Sequence, residues 1–205
     1  MSSHDRPPTS GSTGSNAGGA EASGPSTGAT SAAGASSVAA RRGLLFDISA
    51  IDLQGVALDP KGLRLDREGI AHWIPHRPPF ALLDAVVWSS SDYKLGVAVW
   101  NVREDEFWVP GHFPGHPMLP GVLQVEAAAQ LSVYLYNARC PDTRTVAFTH
   151  IDHASFRGQV RPGDRFYLMA HEIRFSDRRF IADVMGFVDP TKITFQAQIT
   201  GLRLS

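Results

Sequence analysis

Residues 119–138 read Leu-Pro-Gly-Val-Leu-Gln-Val-Glu-Ala-Ala-Ala-Gln-Leu-Ser-Val-Tyr-Leu-Tyr-Asn-Ala. Pro120 suits a first helical turn, and nothing after it breaks a helix before Ala138. Val122, Leu123, Val125, Ala127, Ala128, Ala129, Leu131, Val133 and Leu135 surround the whole axis. A helix that is apolar on all sides is buried in protein or in lipid. Gln124, Glu126, Gln130, Ser132 and Asn137 make insertion into lipid costly, so no membrane span is expected.

The flanks decide what covers this helix. Upstream, Asp66 is positioned to cap a short helix running to His72–Trp73, which Pro75 stops. Residues 81–89 and 93–102 are rich in Val, Leu and Trp and read as a hairpin. Downstream, 145–151, 165–175, 179–188 and 193–204 read as strands, with Pro162-Gly163-Asp164, Ser176-Asp177 and Asp189-Pro190 as turns. Strands without intervening helices imply an antiparallel sheet. The fold class is therefore α+β, a curved antiparallel sheet wrapped around one long central helix.

The chain of 205 residues divides by composition. Residues 1–40 hold 10 Ser, 9 Ala, 7 Gly, 4 Thr and 3 Pro, too little apolar surface to offset the entropy of ordering. A disordered tail is expected over 1–42, then one domain over 43–205 with an irregular start at 44–58. The tail has no apolar run of the kind a secretory signal needs, which predicts a cytoplasmic protein. The net charge of −1 argues against a general nucleic-acid binder. A single cysteine, Cys140, permits no intrachain disulfide.

Glu126 is the one charged residue in the central helix. A carboxylate in an apolar setting is paired, neutralised or reached by solvent. Burial raises its pKa, which suits a general acid. The alternative is a structural Glu at a subunit contact or paired with a distant Arg. Before the helix runs Gly111-His112-Phe113-Pro114-Gly115-His116-Pro117. Pro114 and Pro117 forbid the helix on which His112 and His116 would bind zinc, so no metal is expected. The peptides into both prolines are candidates for cis geometry. A rigid loop presenting an imidazole beside a lone Glu is a candidate acid–base pair. Pro120-Gly121 opens the helix where backbone N–H groups lack partners, and Gly121 leaves room for a carbonyl oxygen.

At these residues the sequence resembles the 3-hydroxyacyl-[acyl-carrier-protein] dehydratases of the FabZ type. The resemblance is carried by Pro75-His76-Arg77-Pro78-Pro79-Phe80 with Leu82-Leu83-Asp84, by residues 111–117, by 118–123 with Glu126-Ala127 and Gln130, and by Ile151-Asp152, Phe156-Arg157, Val160 and Pro162-Gly163-Asp164. Pro78 stands where the family usually has Tyr, and Ala85 where it usually has Arg.

The resemblance implies a hot-dog fold and a homodimer with sites at the interface, commonly a trimer of dimers. It implies His112 as catalytic base, Glu126 of the other subunit as catalytic acid, and the Gly121 N–H as the group that polarises a thioester. The sister type that also isomerises the double bond carries Asp where this chain has Glu126, which favours plain dehydration. No metal or redox cofactor is implied, since the substrate rides on the phosphopantetheine of an acyl carrier protein. Phe113, Met118, Val122, Val125 and Phe148 are candidates for an acyl tunnel, against ordinary core packing. Arg157 and Arg161 belong to an arginine-rich stretch that suits docking of an acidic carrier protein. The expected function is dehydration of 3-hydroxyacyl thioesters to trans-2-enoyl thioesters in fatty acid biosynthesis. The alternatives are a non-catalytic acyl-thioester-binding subunit and a dehydratase of a specialised acyl or polyketide pathway.

Overall fold

The computed structural model describes residues 65–189 and 192–204. The tail expected over 1–42 and the irregular stretch at 44–58 lie outside the described residues. In chain order the elements are β1 (Leu65–Asp66), α1 (Arg67–Ala71), β2 (Ala85–Ser89), β3 (Leu95–Asn101), α2 (Gly121–Asn137), β4 (Val146–Phe156), β5 (Arg165–Ser176), β6 (Arg179–Asp189) and β7 (Lys192–Arg203). The strands form one antiparallel sheet in the order β1-β2-β3-β5-β6-β7-β4.

This order explains the position of the long helix. α2 follows β3 and precedes β4, yet β4 lies at the far edge, beyond β5, β6 and β7. The helix must therefore cross the sheet, and it contacts β3, β4, β5, β6 and β7. The inward row of each strand meets it: Ala98 and Trp100 of β3, Phe166, Leu168 and Ala170 of β5, Val184 of β6, and Phe195, Ala197 and Ile199 of β7 are all buried in one core with α2. Fully burying each large side chain contributes roughly 1.5–3 kcal/mol. On the other sheet face Val97, Met169, Met185 and Phe187 form a second, smaller buried cluster.

The side of α2 turned away from the sheet is covered by α1 and the irregular segments 72–83 and 102–119, through Ile70, Ile74, Leu82, Leu83, Trp108 and Leu119. The polar residues of α2 hold this cover. Gln130 accepts from Leu82 N–H at 3.1 Å and donates to Phe80 O at 2.7 Å. Asn137, two turns on, donates to Trp73 O at 2.7 Å and Arg144 O at 3.2 Å. An apolar helix can carry these amides because their buried polar atoms find backbone partners in the cover.

The expected α+β architecture is observed. Asp66 caps α1, its carboxylate accepting from Gly69 N–H at 2.8 Å. Two local expectations need correction. β4 runs to Phe156 rather than ending near Ile151, because register shifts after Phe148 and Asp152 let a polar stretch stay paired with β7. The cis bonds among the described residues are Pro78–Pro79 and His112–Phe113, not those into Pro114 and Pro117. No described helix is long and apolar enough to cross a membrane.

Candidate active site

The loop between β3 and α2 holds no helix or strand, as its proline and glycine content dictates. It is nonetheless tied down. Trp108 is buried in the core, and Trp100 Nε1–H donates to Glu106 Oε1 at 2.9 Å. Arg103 pairs with the same carboxylate at 2.9 Å, so this buried acid is neutralised. Phe113 and His116 close a tight turn by exchanging backbone hydrogen bonds of 3.3 and 2.9 Å, and Gly115 supplies its positive φ of 75°.

His112 is locked by Met118. The Met118 N–H donates to His112 O at 2.8 Å, and His112 Nδ1 lies 2.7 Å from Met118 O. A carbonyl oxygen only accepts, so Nδ1 carries the proton and Nε2 keeps its lone pair. The Phe113 ring stacks on the imidazole with centroids 4.0 Å apart. The half-buried His112 thus presents a basic nitrogen at a fixed orientation.

Six residues into α2 the half-buried Glu126 meets a different histidine. His76 Nε2 lies 3.3 Å from Glu126 Oε1, and Gln130 Nε2–H donates to the same oxygen at 2.9 Å. The hydrogen bond from His76, and then that from Gln130, hold this carboxyl below the usual carboxylate range. This corrects the expectation of a raised pKa: burial does push it upward, but the donors outweigh burial. No hydrogen bond or ion pair joins His112 to Glu126 within the chain among the described residues. His76 was legible as part of a motif but not as the partner of Glu126, because nothing in sequence spacing links a loop residue to a helix face.

Pro120 is the N-cap of α2 and supplies no side-chain cap, so no side chain competes for the Gly121 N–H. Phe156, the last residue of β4, packs directly against Gly121. β4 is the far edge of the sheet, and Phe148, Ile151 and Phe156 on it are 40%, 49% and 51% exposed. Val122 beside Gly121 is 74% exposed. An exposed apolar edge of this kind lies next to the start of α2.

The tunnel candidates separate. Phe113 and Met118 line a cleft of about 380 Å³ with Glu104, His116, Gln159 and Arg161. Val122 and Phe148 sit on the exposed apolar edge, and Val125 is buried in the main core. Arg161 reaches this cleft and donates to Gln159, while the exposed Arg157 donates to Ser155.

The model of the FabA-like domain matches residues 74–197, which take in β2 to β6, the first half of β7, α2 and most of its irregular cover. The chain belongs to the FabA-like family. The domain is 42% identical over 112 residues to a 3-hydroxyacyl-[acyl-carrier-protein] dehydratase FabZ of Anoxybacillus flavithermus, covering 54% of this chain and 78% of that one. It is 39% identical over 124 residues to a bifunctional enzyme LpxC/FabZ of Porphyromonas gingivalis, covering 60% of this chain. That match spans only about a quarter, 26%, of the bifunctional relative. Among solved structures, the dehydratase heterocomplex ApeI:P from Xenorhabdus doucetiae superposes with a TM-score of 0.57 at 13% identity, over 66% of this chain and 91% of that one. At that identity the likeness shows the fold alone. This FabA-like domain is of the FabZ type and has the hot-dog fold.

Proposed function

We propose that this chain dehydrates 3-hydroxyacyl thioesters, carried on the phosphopantetheine of an acyl carrier protein, to trans-2-enoyl thioesters in cytoplasmic fatty acid biosynthesis. The observation that carries this reading is the Met118 clamp on His112, which leaves Nε2 as a fixed base. His112 Nε2 takes the α-proton. The Gly121 N–H, at the positive end of α2, receives the negative charge that develops on the thioester oxygen. The C–O bond at the β-carbon breaks, and the departing hydroxyl takes a proton from Glu126, directly or through one water, to leave as water. The proton on His112 then returns to Glu126, and no metal or redox cofactor takes part.

Within one chain Glu126 faces His76 and not His112, so the reading requires two copies. The exposed apolar edge along β4, adjoining Gly121 and Val122, supports a homodimer in which Glu126 of one copy faces His112 of the other. Covering that edge also desolvates the carboxyl, which opposes the lowering by His76 and Gln130 and favours the protonated acid. Such dimers assemble further into trimers in this reading.

The cleft lined by Phe113, Met118 and Arg161 supports an entrance for the pantetheine arm. The acyl path then runs by Val122 and Phe148 on the exposed edge. Arg161 in its wall and the exposed Arg157 four residues earlier suit an acidic carrier. Arg157→Glu with Arg161→Glu raises KM for the carrier-bound substrate and spares a short thioester analogue.

The deciding experiment follows formation of the conjugated enoyl thioester by absorbance with a 3-hydroxybutyryl thioester. His112→Ala and Glu126→Gln each lower turnover by about 10²–10⁴-fold, the usual contribution of an acid or base. Turnover near wild type in either variant ends this reading.

A further inference from the structure

Glu126 is held on one side only. Both His76 and Gln130 address Oε1, at 3.3 and 2.9 Å, and Oε2 has no partner among the described residues. The loop that brings His76 there is braced at both ends. Arg77 donates to Ala71 O, Ile74 O and His76 O at 3.1, 3.0 and 2.7 Å, closing the chain before and at His76. Gln130 binds Phe80 and Leu82 just beyond it. The same Gln130 amide nitrogen therefore ties the loop to the carboxylate.

The imidazole of His76 has an asymmetric setting. Its Nε2 faces the carboxylate, while Nδ1 is buried and lacks a hydrogen-bond partner among the described residues. A proton on Nδ1 would be an unpaired buried donor, whereas a proton on Nε2 is accepted by Glu126.

We propose that His76 is a positioning residue for the dehydration reaction: as the Nε2–H tautomer it donates to Glu126 Oε1 and, with Gln130, leaves Oε2 as the oxygen that exchanges a proton with the substrate hydroxyl. The inference rests on the proposed role of Glu126 and adds which oxygen acts and what orients it. His76 touches no reacting atom, and its distance to Oε1 is at the long end for an N–H···O bond. A misplaced catalytic group costs turnover more than substrate binding.

Spectroscopy and kinetics test this. In the wild-type protein, ¹⁵N spectra of histidine at pH 7 show His76 as the Nε2–H tautomer; an Nδ1–H tautomer overturns the proposal. In His76→Ala, kcat falls about tenfold or more with KM within about twofold, since orientation rather than binding is lost. His76→Gln, whose amide retains a donor, recovers part of that loss.

In the same variants the ¹³C carboxyl signal of Glu126 titrates at higher pH in His76→Ala than in wild type. An unchanged titration overturns the proposal, as does a kcat for His76→Ala equal to wild type. Loss of kcat matched by loss of the folded state, with no recovery in His76→Gln, assigns His76 a structural role and likewise overturns it. The spectra need no activity, so they test the contact with Glu126 even if Glu126→Gln remains active and the functional reading fails.

Discussion

The ring of Phe156 lies so close to Gly121 that a β-carbon on the glycine would stand 2.9 Å from Cε1 and 3.0 Å from Cδ1. The last residue of the edge strand thus sets what is tolerated at the first residue of the central helix. The need for glycine here comes first from this ring. Room for a substrate oxygen, the reason read from the sequence, belongs to the proposed reaction.

Gly121→Ala forces the Phe156 ring to turn. The ring is half exposed in the single chain but stacks on Phe195, so the stability loss falls within the about 1–3 kcal/mol usual for overpacking. The effect on kcat/KM is larger, because the first N–H of α2 shifts with the strand edge. Urea unfolding and dehydration kinetics on the same sample separate the two. Phe156→Leu in the Gly121→Ala background restores stability; a double variant less stable than the single one refutes the packing account.

A site shared between subunits has a signature in mixed oligomers. His112→Ala and Glu126→Gln are each inactive alone. After co-refolding in equal amounts, half of the dimers are mixed, and each mixed dimer holds one intact site. Recovery of about one quarter of wild-type activity is expected for a two-fold symmetric dimer. Absence of recovery, with mixed dimers verified by mass, places both groups in one chain.

Asn137 holds the cover segment to the far end of α2. Asn137→Ala removes the donor to Trp73 O and Arg144 O and costs about 1–3 kcal/mol. A domain of this size loses about 2–4 °C in Tm per kcal/mol. Thermal unfolding checks this, and a Tm within 1 °C (roughly) of wild type shows that the bonds contribute nothing net.

The lowered pKa of Glu126 predicts a pH dependence of stability. Its folded value lies below 4.5, the ordinary glutamate value it returns to on unfolding. The contribution is therefore complete above the unfolded value and disappears as pH falls through the folded one. Urea unfolding between pH 6 and about 3 should show wild type losing stability more steeply than Glu126→Gln. Parallel curves would mean that the carboxylate gains nothing from His76 and Gln130.

Much of this molecule is written locally. The apolar circumference of 121–137 demands enclosure, Asp66 announces α1, and the prolines of 110–120 exclude any regular element between β3 and α2. His112, Glu126 and Gly121 stand out because an imidazole in a rigid loop, a lone acid in an apolar helix and a glycine at a helix start are each anomalous against their neighbours. These are short-range signals, carried by periodicity, backbone restriction and composition. The tertiary structure decided the rest. It sent β4 to the far edge of the sheet, put Phe156 against Gly121, and set His76 rather than His112 beside Glu126 in the same chain. It also lowered an acid that burial alone would have raised. Such pairings join residues remote in sequence, and chain spacing carries no information about which distant donor reaches a given carboxylate once the loops have packed.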